Sequence, residues 1–382
     1  MATESQSDSV ALAPQPRARF DRKQAVLFLS RIWAWVFLLL LILFFTSSVS
    51  LTTSGQVNFL SLRNSQNILM AITPVLLMGL GQTFVIITAG IDLSVGWVMG
   101  LASVVSALVI RDAANYMPES SAILIGFAAG LFSAMIPGFI NGVIIARLRV
   151  PPFIVTLGMS FIARGVAFLL SGGNVVGGQP PGVRNFGNES LLYIISGEGG
   201  GIFFFQRPDV TGQVLQRLDR VLQWPVIVTF VAVGIALFVL HRTQFGRHTY
   251  AIGGNREAAV RAGVPVLRHT IALYTLSALT AGLAGILHTA RFSGGSSIAG
   301  DPLLLSSIAA VVIGGVSLAG GQGTVMGTVI GALIIAVLIT GLVMLNVQPF
   351  WQFVVVGIVV ILAVLIDQSR DIIVGRMERE QA

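Results

Sequence analysis

Runs of roughly 18 or more apolar residues recur along this chain, the length an α-helix needs to cross ~30 Å of hydrocarbon. The first runs from Ile32 to Ser50, and others lie near 68–90, 95–110, 122–146, 153–171, 224–240, 270–290, 303–319, 324–345 and 350–367. Only 10% of the 382 residues are charged, against about 25% in a soluble domain. Mean hydropathy is +0.86. Spread over a water-soluble surface, so few charges would leave large apolar patches. A soluble globular fold is excluded. The chain reads as an all-α polytopic membrane protein of about ten transmembrane helices, with the first run a retained anchor because no small-x-small cleavage site follows it.

The rarer residues exclude whole chemistries. Cysteine is absent, which removes disulfides, thiolate metal sites and cysteine nucleophiles. Lysine occurs once, as Lys23, so the chain cannot carry a G-x-x-x-x-G-K-[ST] phosphate loop. His241, His248, His269 and His288 show no tight ligand spacing, and no metal, cofactor or catalytic residue is expected. The net charge of +7 does not point to nucleic acid, because the positive residues sit mostly in short segments between apolar runs and read as topology signals.

Those signals place both termini in the cytoplasm. With that orientation the inner segments hold Arg17, Arg19, Arg22, Lys23, Arg31, Arg147, Arg149, Arg242, Arg247, Arg256, Arg261, Arg268, Arg370, Arg376 and Arg379. The outer ones hold Arg63, Arg111, Arg184, Arg207, Arg217, Arg220 and Arg291, four of them in one long loop where the bias counts for less. The short third and eighth runs leave room for re-entrant segments and a count of eight or nine. The organisation is then a cytoplasmic tail over 1–31, a transmembrane domain over 32–367 and a second tail over 368–382. Within the domain lie an external loop at 172–223, rich in Gly and Pro, and a cytoplasmic stretch at 241–269. Asn188-Glu189-Ser190 matches N-x-[ST], a match read as chance.

Small residues four apart at Gly96/Gly100, Gly126/Gly130, Gly138/Gly142 and Gly323/Gly327/Gly331 let helix backbones approach closely in lipid and read as scaffold. Two glycine-containing turns, at 90–96 and 314–323, resemble each other, and each ends an inward run and begins an outward one. A parallel internal repeat would leave such a likeness.

Charges within apolar spans are costly and therefore informative. Asp92 is the sole acidic residue between Asp21 and Asp112 and follows the helix break at Ala89-Gly90, with Ser94 two positions on. It reads as a group on or gating a translocation path, or as the N-cap of the helix beginning near Val95. Arg164 falls in mid-span and must face protein or water. It lines the path or pairs with a carboxylate such as Asp92 or Asp301. Gln82, Thr83, Asn141 and Thr156 are polar residues for lining the path or for hydrogen bonds between helices.

In the stretch from Arg247 to Pro265, Asn255 is a good N-cap, Glu257 suits a first turn, and Gly263 followed by Pro265 is a clean stop. That defines a helix of about seven residues, too short to be stable alone. It is either an ordinary loop helix or one that docks on a partner.

Gly90-Ile91-Asp92-Leu93-Ser94-Val95-Gly96 and Val150-Pro151-Pro152-Phe153-Ile154-Val155-Thr156-Leu157-Gly158 strongly resemble signatures of the ribose/xylose/galactose-type permeases of ATP-binding-cassette importers. So do Tyr250-Ala251-Ile252-Gly253-Gly254-Asn255-Arg256-Glu257-Ala258-Ala259 and Ile308-Ala309-Ala310-Val311-Val312-Ile313-Gly314-Gly315. Order and spacing match from about residue 60 to 367. The resemblance implies a bacterial inner-membrane permease present in two copies. Its partners would be ATPase subunits inside and a periplasmic or lipid-anchored sugar-binding protein outside. It also implies that Asn255, Arg256, Glu257, Ala258, Ala259 and Gly263 form the coupling helix seated on the ATPase. One departure is that many relatives carry Glu-Leu before the Ile-Ala-Ala stretch, where this chain has Leu305-Ser306-Ser307.

The competing class is an ion-coupled secondary transporter of a small polar solute. Such proteins place several acidic or histidine groups near the bilayer centre, and here Asp92 alone qualifies. An integral-membrane enzyme needs a nucleophile, a base and an orienting group together, and none is discernible.

Overall fold

The computed structural model describes residues 22–55, 57–197, 200–362 and 365. Residues 1–21 of the first tail and all of the second therefore lie outside the described residues, as does most of the end of the tenth apolar run, and α1 begins inside the segment read as the first tail. In chain order the first helices are α1 (Arg22–Thr52), α2 (Leu62–Ile87), α3 (Val95–Ala113), α4 (Glu119–Leu148), α5 (Pro152–Ser171) and α6 (Pro181–Asn188). Strands β1 (Ser190–Ile195) and β2 (Gly201–Phe204) follow, then α7 (Gln213–Gln216) and β3 (Leu218–Gln223). The chain continues as α8 (Trp224–Arg242), α9 (Gln244–Gly254), α10 (Arg256–Arg261) and α11 (Val266–Phe292). After a 3-10 turn at Asp301–Leu303 come α12 (Leu304–Ile313) and α13 (Val325–Met344). A last apolar helix, α14, runs Pro349–Leu362.

Among the described residues 8 helices are long and apolar enough to cross a membrane: α1 (from Trp33), α2, α3, α4, α5, α8, α11 and α13. The eighth and tenth apolar runs are the shorter helices α12 and α14. The third is span-length after all. Among the described residues each apolar run read from the sequence is thus helical over most of its length or, for the eighth, over about half of it, since α12 stops at Ile313.

Helix α2 is buried along nearly its whole length, and α11 packs against α2, α3 and α4. The outer helices instead expose apolar side chains such as Leu43, Phe132, Phe161 and Ile235, as surfaces facing hydrocarbon do. The small-residue pairs mark the close approaches. Gly100 faces the Ser297 carbonyl, Gly142 the backbone of Ile271 on α11, and Gly331 the Ala310 carbonyl on α12; a Cβ at any of them would collide. The scaffold reading of these glycines is what the packing displays.

The segment 172–223 departs from an all-helical chain and is more than a Gly/Pro-rich connection. It carries α6 and a three-stranded antiparallel sheet in the order β2-β1-β3. Tyr193 is buried between strand and loop, and its hydroxyl oxygen accepts the Ser190 N–H at 3.0 Å. The sheet is fastened to the bundle by Leu222 N–H donating to Gln66 Oε1 at 3.1 Å and by an Arg63–Asp219 ion pair at 3.3 Å. Asn188 donates its amide to the Arg291 carbonyl at 3.0 Å. The Gly/Pro content hid this because the strands are short and alternate only weakly.

Candidate functional site

Helix α2 stops where Ala89 adopts a left-handed φ of 60°, with Ala89 N–H donating to Ile86 O and Gly90 N–H to Val85 O. The extended residues that follow bring Asp92 into the protein interior. Its Oδ1 accepts from the Ser94 backbone N–H at 3.0 Å and the Ser94 hydroxyl at 2.6 Å. Its Oδ2 accepts from the Ser277 hydroxyl on α11 at 2.8 Å. The N-cap position of α3 belongs to Ser94. Asp92 therefore makes the turn leading into α3 and is not its cap.

Four other candidate path residues converge on the same turn. Gln82 on α2 donates its amide to the Asp92 backbone carbonyl. Asn141 on α4 donates to Ser94 Oγ at 3.1 Å. Thr156 on α5 lies with its hydroxyl 3.3 Å from the Ile91 carbonyl and donates to Pro152 O at 2.9 Å. Asp92, Ser94, Gln82, Asn141 and Thr156 are all fully buried. They tie α2, α3, α4, α5 and α11 together with hydrogen bonds to a helix break. Three buried polar atoms around this cluster have no hydrogen-bond partner among the described residues: Gln82 Oε1, Asn141 Oδ1 and the Tyr274 hydroxyl.

Arg164 does not join it. Its guanidinium lies 4.8 Å from the Trp97 ring centroid and 5.8 Å from that of Phe168. Among the described residues Arg164 makes no ion pair with Asp92 or Asp301; Asp92 takes its hydrogen bonds from Ser94 and Ser277. Arg164 lies instead on the exposed side of α5. Gly158 and Gly165 on the same helix have open space where a Cβ would stand. An exposed guanidinium midway along a span is too costly to face lipid tails, so this side of α5 faces water or another protein.

The basic stretch folds as its caps predict. Asn255 Oδ1 accepts the Ala258 N–H at 2.9 Å, opening α10. Gly263 takes φ +79° and closes it, with Val264 N–H donating to Ala259 O. Ala259 is buried against Ile252 and Val266, while Arg256, Glu257, Ala258 and Arg261 are exposed. Glu257 and Arg261 are 3.7 Å apart, one turn from each other. The helix rests on the protein by one side and offers the other to solvent.

The sequence reading did not separate α9, the helix before it, which connects α10 to the end of α2. Gly253 sits directly against the Ile87 carbonyl at the end of α2, where any side chain would collide. The same carbonyl accepts from Gly321 N–H at 2.8 Å. The Tyr250 hydroxyl donates to Gly323 O at 2.7 Å, and burial pushes the phenol's pKa above its ordinary range. The end of α2 that leads into the turn at 90–96 and the turn at 314–323 are thus neighbours in space, both against α9. Ser277 and Tyr274 were also missed, since a Ser and a Tyr in an apolar run carry no distinguishing spacing.

The family model described as "Branched-chain amino acid transport system / permease component" matches residues 64–364. The chain is 37% identical over 302 residues to the fructose import permease protein of Rhizobium meliloti, covering 79% of this chain and 76% of that protein. It is 35% identical over 324 residues to the ribose import permease protein of Escherichia coli strain K12, covering 85% and 91% respectively. With the L-arabinose ABC transporter permease protein of Azospirillum brasilense it shares 33% identity over 335 residues, 88% of this chain and 87% of that one. No solved structure matches the chain.

Proposed function

Since the chain belongs to the family of branched-chain amino acid transport system permease components, it is a membrane permease subunit of an ATP-binding-cassette importer in the bacterial inner membrane, and we propose that its cargo is a monosaccharide, pentose or hexose. The observation that supports this cargo is the run of relatives named as ribose, fructose, L-arabinose and galactose permeases over most of their length. The chain has no phosphate loop of its own, so a separate ATPase drives it, and an extracytoplasmic sugar-binding protein feeds it. The ion-coupled alternative loses its ground here, because the proteins the chain resembles over most of its length are import permeases, one of them named as part of an ABC transporter.

Residues 241–269 are then cytoplasmic, with α10 as the coupling helix. Asn255 and Gly263 fix its ends, Ala259 anchors it, and Arg256, Glu257 and Ala258 meet the ATPase. Closure of the ATPase pushes α9 against Ile87 and against the turn at Gly321, and so reaches the Asp92 cluster. That cluster acts as a latch, with its unpaired Gln82, Asn141 and Tyr274 atoms finding partners in another state of the cycle. Gln82, Asp92, Ser94, Asn141 and Thr156 belong to the moving elements around the path, while Arg164 borders it. A second permease copy faces α5 across the path, which accounts for a charged, glycine-opened helix side.

The test is reconstitution in liposomes with an ATPase and a sugar-binding protein that co-purify with the chain, scored by uptake of labelled ribose, fructose, arabinose and galactose. ATP-dependent uptake of one of them supports the reading. Uptake of leucine or valine, with none of any sugar, refutes the cargo.

A further inference from the structure

Where α4 gives way to α5, the chain encloses a recess of about 740 Å³ together with α10 and the start of α11. Its walls include Ile145, Val150 and Val264, and three arginines line it: Arg149, Arg256 and Arg268. No acidic side chain lines it. None of the three guanidiniums has a hydrogen bond or ion pair among the described residues; the nearby Glu257 pairs with Arg261 instead. Three unneutralised positive charges around one concavity call for an anion.

The height of the recess narrows the choice. Arg149 caps α4, a helix of 30 residues, and Arg268 stands in the first turn of α11, a helix of 27. Both helices outlast the ~20 residues that cross hydrocarbon, so the recess lies in the headgroup layer. Beside it the surface is apolar: Leu148 is 69% exposed, Phe153 52% and Ile154 59%. A charged recess bordered by such a surface suits an amphiphile with an anionic head, since basic pockets between span ends hold lipid headgroups. A soluble partner on α10 has Arg256, Glu257 and Ala258 exposed to it and does not need Arg149 or Arg268, the two arginines that lie off that helix.

We propose that this recess binds the phosphate-bearing headgroup of an anionic phospholipid, with Arg149 and Arg268 holding the phosphate and the acyl chains lying against Leu148, Phe153 and Ile154. Arg256 and Val260 bring α10 into the same recess, so the lipid braces that helix against the α4–α5 corner. The site stands apart from the importer reading; its effect on coupling rests on it.

The experiment uses the full-length protein, delipidated in mild detergent and titrated with phosphatidylglycerol or phosphatidylcholine, with retained lipid read by native mass spectrometry. Wild-type protein is expected to retain phosphatidylglycerol on the order of tenfold better. The Arg149→Gln, Arg268→Gln double variant loses that preference, while Arg149→Lys, Arg268→Lys and the opposite-end control Arg111→Gln keep most of it. Elution volume and thermal midpoint confirm that each variant is folded. Equal retention of the two lipids by wild-type protein overturns the proposal. So does a folded double variant with full preference, or displacement of the lipid by millimolar inorganic phosphate, which would make this a soluble-anion site. Failure of sugar uptake with lipid preference intact would instead refute the importer reading alone.

Discussion

Ser277 on α11 donates its hydroxyl hydrogen to Asp92 Oδ2 at 2.8 Å, joining residues 185 apart in sequence. A helix far along the chain thereby holds the break between α2 and α3, and the carboxylate is secured from both sides. Ser277→Ala leaves one carboxylate oxygen without its donor, which costs about 1–3 kcal/mol. A lower thermal midpoint of the detergent-purified protein is the expected result. Asp92→Asn preserves the shape but replaces one acceptor oxygen with a donor that cannot take the same hydrogen bonds. Reduced transport with normal ATPase co-purification is expected; loss of the protein from the membrane would assign Asp92 to folding alone.

Contact between α9 and the end of α2 leads to a sharper pair. Gly253→Ala places a methyl group against the Ile87 carbonyl, an overpacking worth roughly 1–3 kcal/mol, whereas Gly254 has open space at the same position. Gly253→Ala should lower both the thermal midpoint and sugar uptake, and Gly254→Ala should leave both unchanged. Equal tolerance of the two would mean that α9 does not press on the Asp92 turn.

On α10, Glu257→Arg reverses an exposed charge and replaces the Glu257–Arg261 pair by repulsion, an exposed effect of only a few tenths of a kcal/mol on stability. Insertion and abundance should be unchanged while ATP-driven uptake falls. Asn255→Ala removes the cap, at about 1 kcal/mol, and should weaken coupling through fraying of α10. Normal uptake with normal ATPase binding in Glu257→Arg would remove α10 from the coupling role.

Because the chain contains no cysteine, Arg164→Cys provides a sole reporter thiol. Loss of the contact with Trp97 costs about 0.5–2 kcal/mol, small enough for the protein to fold. A membrane-impermeant maleimide should label this position, and Leu169→Cys, on another side of α5, should stay unlabelled. An unreactive thiol at 164 in folded protein would show that this side of α5 does not border water.

Much of this architecture was legible because lipid imposes a coarse requirement. A helix of about 20 apolar residues declares itself by length, and the ends of α10 are declared by Asn255, Gly263 and Pro265, whose local chemistry needs no tertiary context. Asp92 stood out for a similar reason, as a lone carboxylate at an Ala-Gly break. Its partners did not: Ser277 and Tyr274 sit in an apolar run where only the packing of α11 on α2 gives them meaning. Arg164 was legible as a cost but not as a contact, since its stacking on Trp97 depends on how α3 and α5 cross. The sheet of residues 190–223 escaped because short, exposed strands leave little periodicity.

The central claim is that an ATPase seated on α10 drives uptake through this chain, and one measurement addresses it directly. Liposomes containing the permease alone, or the permease with its ATPase, are loaded with ATP and supplied with the sugar-binding protein and labelled sugar. Uptake only when the ATPase and ATP are both present, and its loss in Glu257→Arg, is the predicted result. Uptake by the permease alone in response to a proton or sodium gradient would contradict the account and return Asp92 to the position of a coupling site.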